Sequence, residues 1–140
     1  MADVFSKEKR SEVMSRIRSR NTKPELLVRK YLFAQGFRFR LHSPKLPSKP
    51  DIVLPRYKTL VFIQGCFWHG HNCKIARTPK SNIEFWTNKI NRNKERDYGN
   101  FDILKKMGWR VIIIWECSLK KRLQEQTLSE LASLIRQPFE

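Results

Sequence analysis

The segment Trp109-Arg-Val-Ile-Ile-Ile-Trp115 narrows the folds open to this chain more than any other stretch. A strand over Arg110 to Trp115 has an unbroken apolar centre, so it needs cover on both faces, as a central strand of a mixed sheet has. Neighbouring sequence supplies the cover and the other strands. Thr22-Lys-Pro-Glu25 has the Thr-x-x-Glu form of a capping box, with proline in the first turn. Leu27, Val28, Tyr31 and Leu32 follow at helical spacing, and Gly36 is a stop. Phe37 to Leu41 alternates as a strand does. Asp51 to Leu54 and Thr59 to Gln64 are two short apolar runs separated by the turn-like Pro55-Arg-Tyr-Lys, so the three together predict a meander. Ser81-Asn-Ile-Glu84 reads as a second capping box, opening a helix that runs, with room for a break, to Gly108. Thr127-Leu-Ser-Glu130 reads as a third, starting a last amphipathic helix that carries Leu128, Leu131 and Ile135. With a short basic helix at the N-terminus, the expected order is α, α, β, β, β, α, β, α.

At 140 residues the chain is long enough for one hydrophobic core and short for two, and no repeat or Gly/Ser linker divides it; residues 1–140 are expected to form one domain. Lys and Arg number 29 against 13 Asp and Glu, a net charge of +16, yet 40% of residues are hydrophobic. That apolar content separates the chain from a disordered basic tail and predicts a folded protein with a strongly positive surface. Its expected partner is a polyanion, nucleic acid first and an anionic membrane surface second. Residues 1–20 form a basic N-terminal segment expected to contact DNA. Val13, Met14 and Ile17 form a thin apolar stripe there, suited to lying on DNA or to packing by one edge as a solvated helix. No apolar run approaches the roughly 20 residues that span a bilayer, and the N-terminus lacks the apolar region of a signal peptide. Three cysteines, an odd number, suit a reducing compartment. The expectation is an intracellular, cytoplasmic protein.

Three groups of residues carry chemistry. Gly65-Cys-Phe-Trp-His-Gly-His-Asn-Cys73 packs two cysteines, two histidines and an aromatic pair into one loop, and Cys117 follows the Val-Ile-Ile-Ile strand. Three thiolates and one imidazole make a closed tetrahedral site of the structural zinc type. Spacing alone allows either His69 or His71 as the nitrogen ligand, and nothing local ties Cys117 to the loop. Acidic residues are scarce in so basic a chain, which draws attention to Asp51, at a strand start after Pro50, and to Glu25. A carboxylate beside a phosphate-attracting surface is a reasonable magnesium ligand; the plainer roles are a turn carboxylate and half of a capping box. Phe67 and Trp68, and Trp86 in a helix rich in Asn and Lys, can wedge into or stack on bases. Trp109 and Trp115, on or beside the buried strand, read as core.

Pro50-Asp51, the loop from Gly65 to Cys73, the segment Glu84-Phe-Trp-Thr-Asn-Lys-Ile-Asn-Arg-Asn-Lys-Glu-Arg-Asp97 and the closing Trp109-Arg-Val-Ile-Ile-Ile-Trp-Glu-Cys117 together resemble the very short patch repair (Vsr) family of DNA mismatch endonucleases. The resemblance runs from the basic N-terminus to about Leu134, with the motifs in the family's order. It implies an α/β fold related to the type II restriction endonucleases, of the PD-(D/E)xK type: a central mixed sheet flanked by helices, with a structural zinc site. The implied reaction is a nick on the 5′ side of the thymine in a T:G mismatch left by deamination of 5-methylcytosine.

Carried over residue by residue, the resemblance makes Asp51 the magnesium ligand, with the backbone carbonyl of Ile63 as a second protein contact. It makes His69 the catalytic histidine, leaving His71 with Cys66, Cys73 and Cys117 as the zinc set, and gives Glu25 a supporting role. Phe67, Trp68 and Trp86 enter the base stack, Lys89 and Asn93 read the mismatched pair, and Met14 and Ile17, in the segment 1–20, approach the minor groove. Gln64 departs from the pattern, standing where a second active-site histidine is expected; it can hold a water or phosphate oxygen but cannot take a proton. The implied cofactors are Mg2+ for catalysis and Zn2+ for structure. The implied partners are mismatched duplex DNA and mismatch-repair proteins, met by a monomer near the nucleoid. A DNA-binding module of the same fold that has lost cleavage is the alternative.

Overall fold

A computed structural model describes residues 22–67, 69–71 and 81–138. The expected N-terminal helix, with Met14 and Ile17, lies outside the described residues, as do Trp68 and Cys73. Within them the order is α1 (Lys23–Ala34), β1 (Arg40–Leu41), β2 (Ile52–Leu54), a 3-10 turn (Pro55–Tyr57), β3 (Thr59–Gln64), α2 (Ile83–Lys106), β4 (Arg110–Trp115), a second 3-10 turn (Glu116–Leu119) and α3 (Lys121–Arg136).

The four strands form one mixed sheet in the order β1-β2-β3-β4. The first three are antiparallel neighbours, and β4 runs parallel to β3. Alternation along the strands sends side chains to two cores. Ile52, Leu54, Val61, Ile112 and Ile114 meet Val28 and Leu32 of α1 and Leu128, Leu131 and Ile135 of α3 on one face. Val53, Leu60 and Phe62 meet Phe101 and Leu104 of α2 on the other, with Trp109, Val111 and Ile113 packed alongside. Helices therefore cover both faces. Leu32, Leu60, Val61, Leu104 and Ile135 are fully buried, and burial of each such side chain contributes roughly 1.5 to 3 kcal/mol.

Several elements differ from the expectation. The central strand is β3, five of whose six residues are buried, whereas β4 lies at the end of the strand order among the described residues. Its Val-Ile-Ile-Ile run still serves both cores, because helices rather than a fifth strand supply the cover. The Phe37 to Leu41 strand shrinks to Arg40–Leu41. Phe37 is consumed by the end of α1: its N–H donates to the Leu32 carbonyl after the left-handed Gly36 (φ +93), and its ring packs edge-on to Tyr57. Ser81 does not cap α2. The cap position is Asn82, in the left-handed region (φ +52) with no side-chain capping bond, and the helix continues unbroken for 24 residues. Thr127 lies inside α3, which begins at Lys121; its hydroxyl donates to the Ser118 carbonyl at 2.7 Å and ties the helix to the turn before it. Only the Thr22 cap forms as expected, with its Oγ1 accepting from the Glu25 N–H.

Candidate active site and metal centres

Parallel pairing brings β3 and β4 to a level end, Gln64 beside Trp115, and antiparallel β2 begins at the same edge of the sheet. Asp51 immediately precedes β2, so its side chain meets the end of β3, where the Ile63 N–H donates to Oδ2 at 2.7 Å. Burial pushes the Asp51 carboxyl up to about 7 and the neighbouring Glu25 carboxylate adds to the rise, while the Ile63 N–H and the Arg29 guanidinium act against it. Glu25, in the first turn of α1, is only 3% exposed, and its Oε2 accepts from Arg29 Nη2 at 3.1 Å. His42 completes the cluster: its Nε2 lies 3.5 Å from Glu25 Oε2 and 3.9 Å from Asp51 Oδ1. Ligand atoms of Glu25, His42 and Asp51 all fall within 4.8 Å of one another. Two carboxylates and an imidazole form a donor set that suits a divalent cation.

These side chains open into a cleft of about 1090 Å³ that Gln64 and His69 also line. His69 reaches it from the loop after β3. Its Nδ1 lies 2.6 Å from Asp97 Oδ2, a short pairing with a carboxylate that is itself buried on α2. With Nδ1 donating to that carboxylate, the ring's Nε2 is the nitrogen left to accept a proton. Across the cleft, Asn100 of α2 donates to Ser48 Oγ at 2.7 Å, joining the helix to the loop that carries Ser48 and Lys49 in left-handed conformations (φ +60 and +45).

The thiols meet at the same level ends. Cys66 lies two residues past β3 and Cys117 two past β4, so strand register brings them together: the Cys117 N–H donates to Cys66 Sγ at 3.4 Å. His71 Nδ1 lies 3.5 Å from Cys117 Sγ, and the ligand atoms of Cys66, His71 and Cys117 lie within 4.8 Å of one another. Two soft sulfurs and an imidazole fit zinc. Trp115, read from sequence as core, is half-buried and stacks on His71, with centroids 4.2 Å apart and planes 13° from parallel. Gly70 (φ +65) lets this loop close on α2: a Cβ there would lie 2.7 Å from Ile90 Cγ2 and 2.6 Å from Lys94 Cδ.

Three of the residues expected to meet DNA, Trp86, Lys89 and Asn93, occupy one line on α2. Trp86, Lys89, Asn93 and Asp97 recur at helical spacing. Trp86 packs edge-on to Phe67 at 5.5 Å, and the Lys89 ammonium sits 5.7 Å from the Trp86 ring centre. Trp86 and Asp97 stand eleven positions apart, about 16 Å along a helix, so this face runs from the aromatic pair to the cleft. The structure therefore brings together Glu25, Asp51, Ile63, Gln64 and His69 in one place, Cys66, His71 and Cys117 in a second, and Phe67, Trp86, Lys89 and Asn93 in a third. Sequence reasoning missed His42, Arg29 and Asp97. Only Asp97 had a usable signal, as a lone acid on the helix face that carries Trp86 and Asn93.

A family model described as DNA mismatch endonuclease Vsr matches residues 2–75. The chain is 52% identical over 137 residues to the type II nicking enzyme V.NmeAIP of Neisseria meningitidis serogroup A, an alignment covering 97% of this chain and 98% of that protein. It is 46% identical over 119 residues to the type II nicking enzyme V.XorIIP of Xanthomonas oryzae pv. oryzae, with 85% and 88% covered. It is 42% identical over 132 residues to the DNA mismatch endonuclease Vsr of Escherichia coli, with 93% and 85% covered.

Proposed function

The chain belongs to the Vsr family of DNA mismatch endonucleases, and from that premise we propose that it is a magnesium-dependent, strand-specific endonuclease that nicks on the 5′ side of the thymine in T:G mismatches. The coarser activity, a DNA endonuclease acting in mismatch repair, follows from the family itself. The observation that carries the finer reading is the convergence, in one cleft, of Asp51, Glu25 and the His69–Asp97 pair.

Asp51 and the Ile63 carbonyl would hold the magnesium ion, with Glu25 at hand. β3 contains no acidic residue or lysine of its own, so in this version of a PD-(D/E)xK-type site the second carboxylate comes from α1. Magnesium bound there would neutralise the scissile phosphate and stabilise charge on the leaving 3′ oxygen. His69 Nε2 takes the proton from attacking water, while Asp97 holds the ring in the required tautomer and balances the imidazolium that results. Gln64 contributes a hydrogen bond to water or phosphate and no proton transfer. The products are a 3′ hydroxyl and a 5′ phosphate.

Zinc held by Cys66, His71, Cys117 and Cys73 would staple the aromatic loop to the end of β4. Phe67 and Trp86, with Trp68, wedge into the base stack, which costs a few kcal/mol and less at a wobble pair that is already displaced. Lys89 and Asn93 contact the mismatch, and residues 1–20, through Met14 and Ile17, reach the minor groove of the same single-domain complex. No helix among the described residues is long and apolar enough to cross a membrane, and duplex DNA is the proposed partner of a monomeric enzyme.

A nicking assay tests the reading. Duplexes carrying T:G and C:G at a methylation site are incubated with the protein in magnesium or EDTA, and cleavage is expected only in the thymine strand of T:G with magnesium. Tight binding to T:G with no nick in magnesium or manganese would replace the enzyme with a DNA-binding module of the same fold.

A further inference from the structure

Gln64 removes an imidazole from where the family pattern expects one, and the structure brings another to the same cleft. We propose that His42 is an additional ligand of the catalytic cation, completing a Glu25–His42–Asp51 site that favours manganese over magnesium more than an all-oxygen site would. This rests on the cation site described above and deepens it.

Three observations converge on His42. First, its Nε2 lies 3.5 Å from Glu25 Oε2 and 3.9 Å from Asp51 Oδ1. Donors that share one ion at about 2.1 Å each stand roughly 3 to 4.2 Å apart, so the separations need little rearrangement. Second, Asp51 Oδ2 is taken by the Ile63 N–H, while Oδ1 is the oxygen that faces His42. The carboxylate is thus fixed with one oxygen turned toward the imidazole. Third, Arg29 Nη2 lies 3.1 Å from His42 Nε2 and also 3.1 Å from Glu25 Oε2. His42 Nε2 is thus the ring atom turned toward both the guanidinium and the Glu25 carboxylate. The guanidinium marks a position between a carboxylate and an imidazole that attracts positive charge.

An imidazole nitrogen in the coordination shell changes which cation is preferred. Magnesium is a hard ion that takes oxygen and keeps its waters, whereas first-row transition ions gain from nitrogen ligands. Manganese, which is also at home with carboxylates, suits the mixed set.

The test measures Mn2+ binding to the full-length protein without DNA, by loss of the free-ion electron paramagnetic resonance signal, and Mg2+ binding by competition. Glutamine is the informative replacement, since its amide reaches near Nε2 and can still accept from Arg29. His42→Gln is expected to weaken Mn2+ binding by about tenfold or more and to change Mg2+ binding by less than about threefold. Electron spin echo of bound Mn2+ should show imidazole nitrogen coupling in the wild type and in His69→Ala, and none in His42→Gln. Equal Mn2+ affinity and unchanged nitrogen coupling in His42→Gln would overturn the assignment of His42 alone. Failure of the wild type to bind either ion, or binding that survives Asp51→Asn, would instead overturn the cation site on which it rests.

Discussion

Asp51 is caught between two demands. Burial and the nearby Glu25 keep its proton on up to about pH 7, against an ordinary value of 3.8, so without a cation the folded protein binds a proton that the unfolded chain releases. The stabilisation from that proton is complete below the ordinary value and is lost as pH rises through about 7. Asn is neutral throughout and keeps an oxygen for the Ile63 N–H. In magnesium-free buffer, Asp51→Asn should therefore melt with the wild type near pH 4 and a few degrees above it at pH 8, and in magnesium its nicking should be abolished at every pH. Equal melting curves at pH 8 would show that the carboxyl is not strained by its burial. The residues of this cluster differ in how they could be found. Asp51 and Glu25 stood out because acids are scarce in the sequence, and His69 because it sits among cysteines. His42 follows a two-residue strand and meets its partners across 17 and 9 positions of chain, a proximity that only strand pairing creates.

The proposed zinc site would join separate elements. Cys66 and Cys117 are 51 residues apart, and they meet because β3 and β4 pair in parallel with their ends level. The strands were legible from their apolar runs, and β3 and β4 match the expected bounds, but parallel register depends on how α2 packs and has no local code. Capping was legible only where the side chain completes it. Thr22 does so, whereas Ser81 gave way to a left-handed Asn82 and Thr127 was overridden by a helix that already begins at Lys121. If zinc joins the loop to β4, the purified chain should carry close to one zinc, and Cys117→Ser should lower both that stoichiometry and the melting temperature. The fold itself is expected to survive, since neither hydrophobic cluster includes Cys66 or Cys117. Elemental analysis and thermal melts decide it; unchanged zinc content in Cys117→Ser would remove that residue from the site.

At the scale of the whole molecule, the proposed mismatch recognition would draw on two sources that experiment can separate. A net charge of +16 attracts any duplex, because each lysine or arginine contact to phosphate releases counterions regardless of sequence. Removing one such contact should weaken binding to T:G and C:G duplexes alike and flatten the salt dependence by about one unit of slope. The aromatic end of α2 works differently. Trp86 packs with Phe67 under the Lys89 ammonium, and stacking of such a ring on a base contributes roughly 1 to 3 kcal/mol, which counts only where the duplex opens. Trp86→Ala should therefore reduce the preference for T:G over C:G by about tenfold or more while leaving the salt slope nearly unchanged. Binding isotherms on both duplexes across a range of salt distinguish the cases. Equal losses on the two duplexes would make Trp86 a general DNA contact. A loss accompanied by a lower melting temperature of the free protein would make its contact with Phe67 part of the fold, and the task of sensing the mismatch would then pass to the loop between β3 and α2.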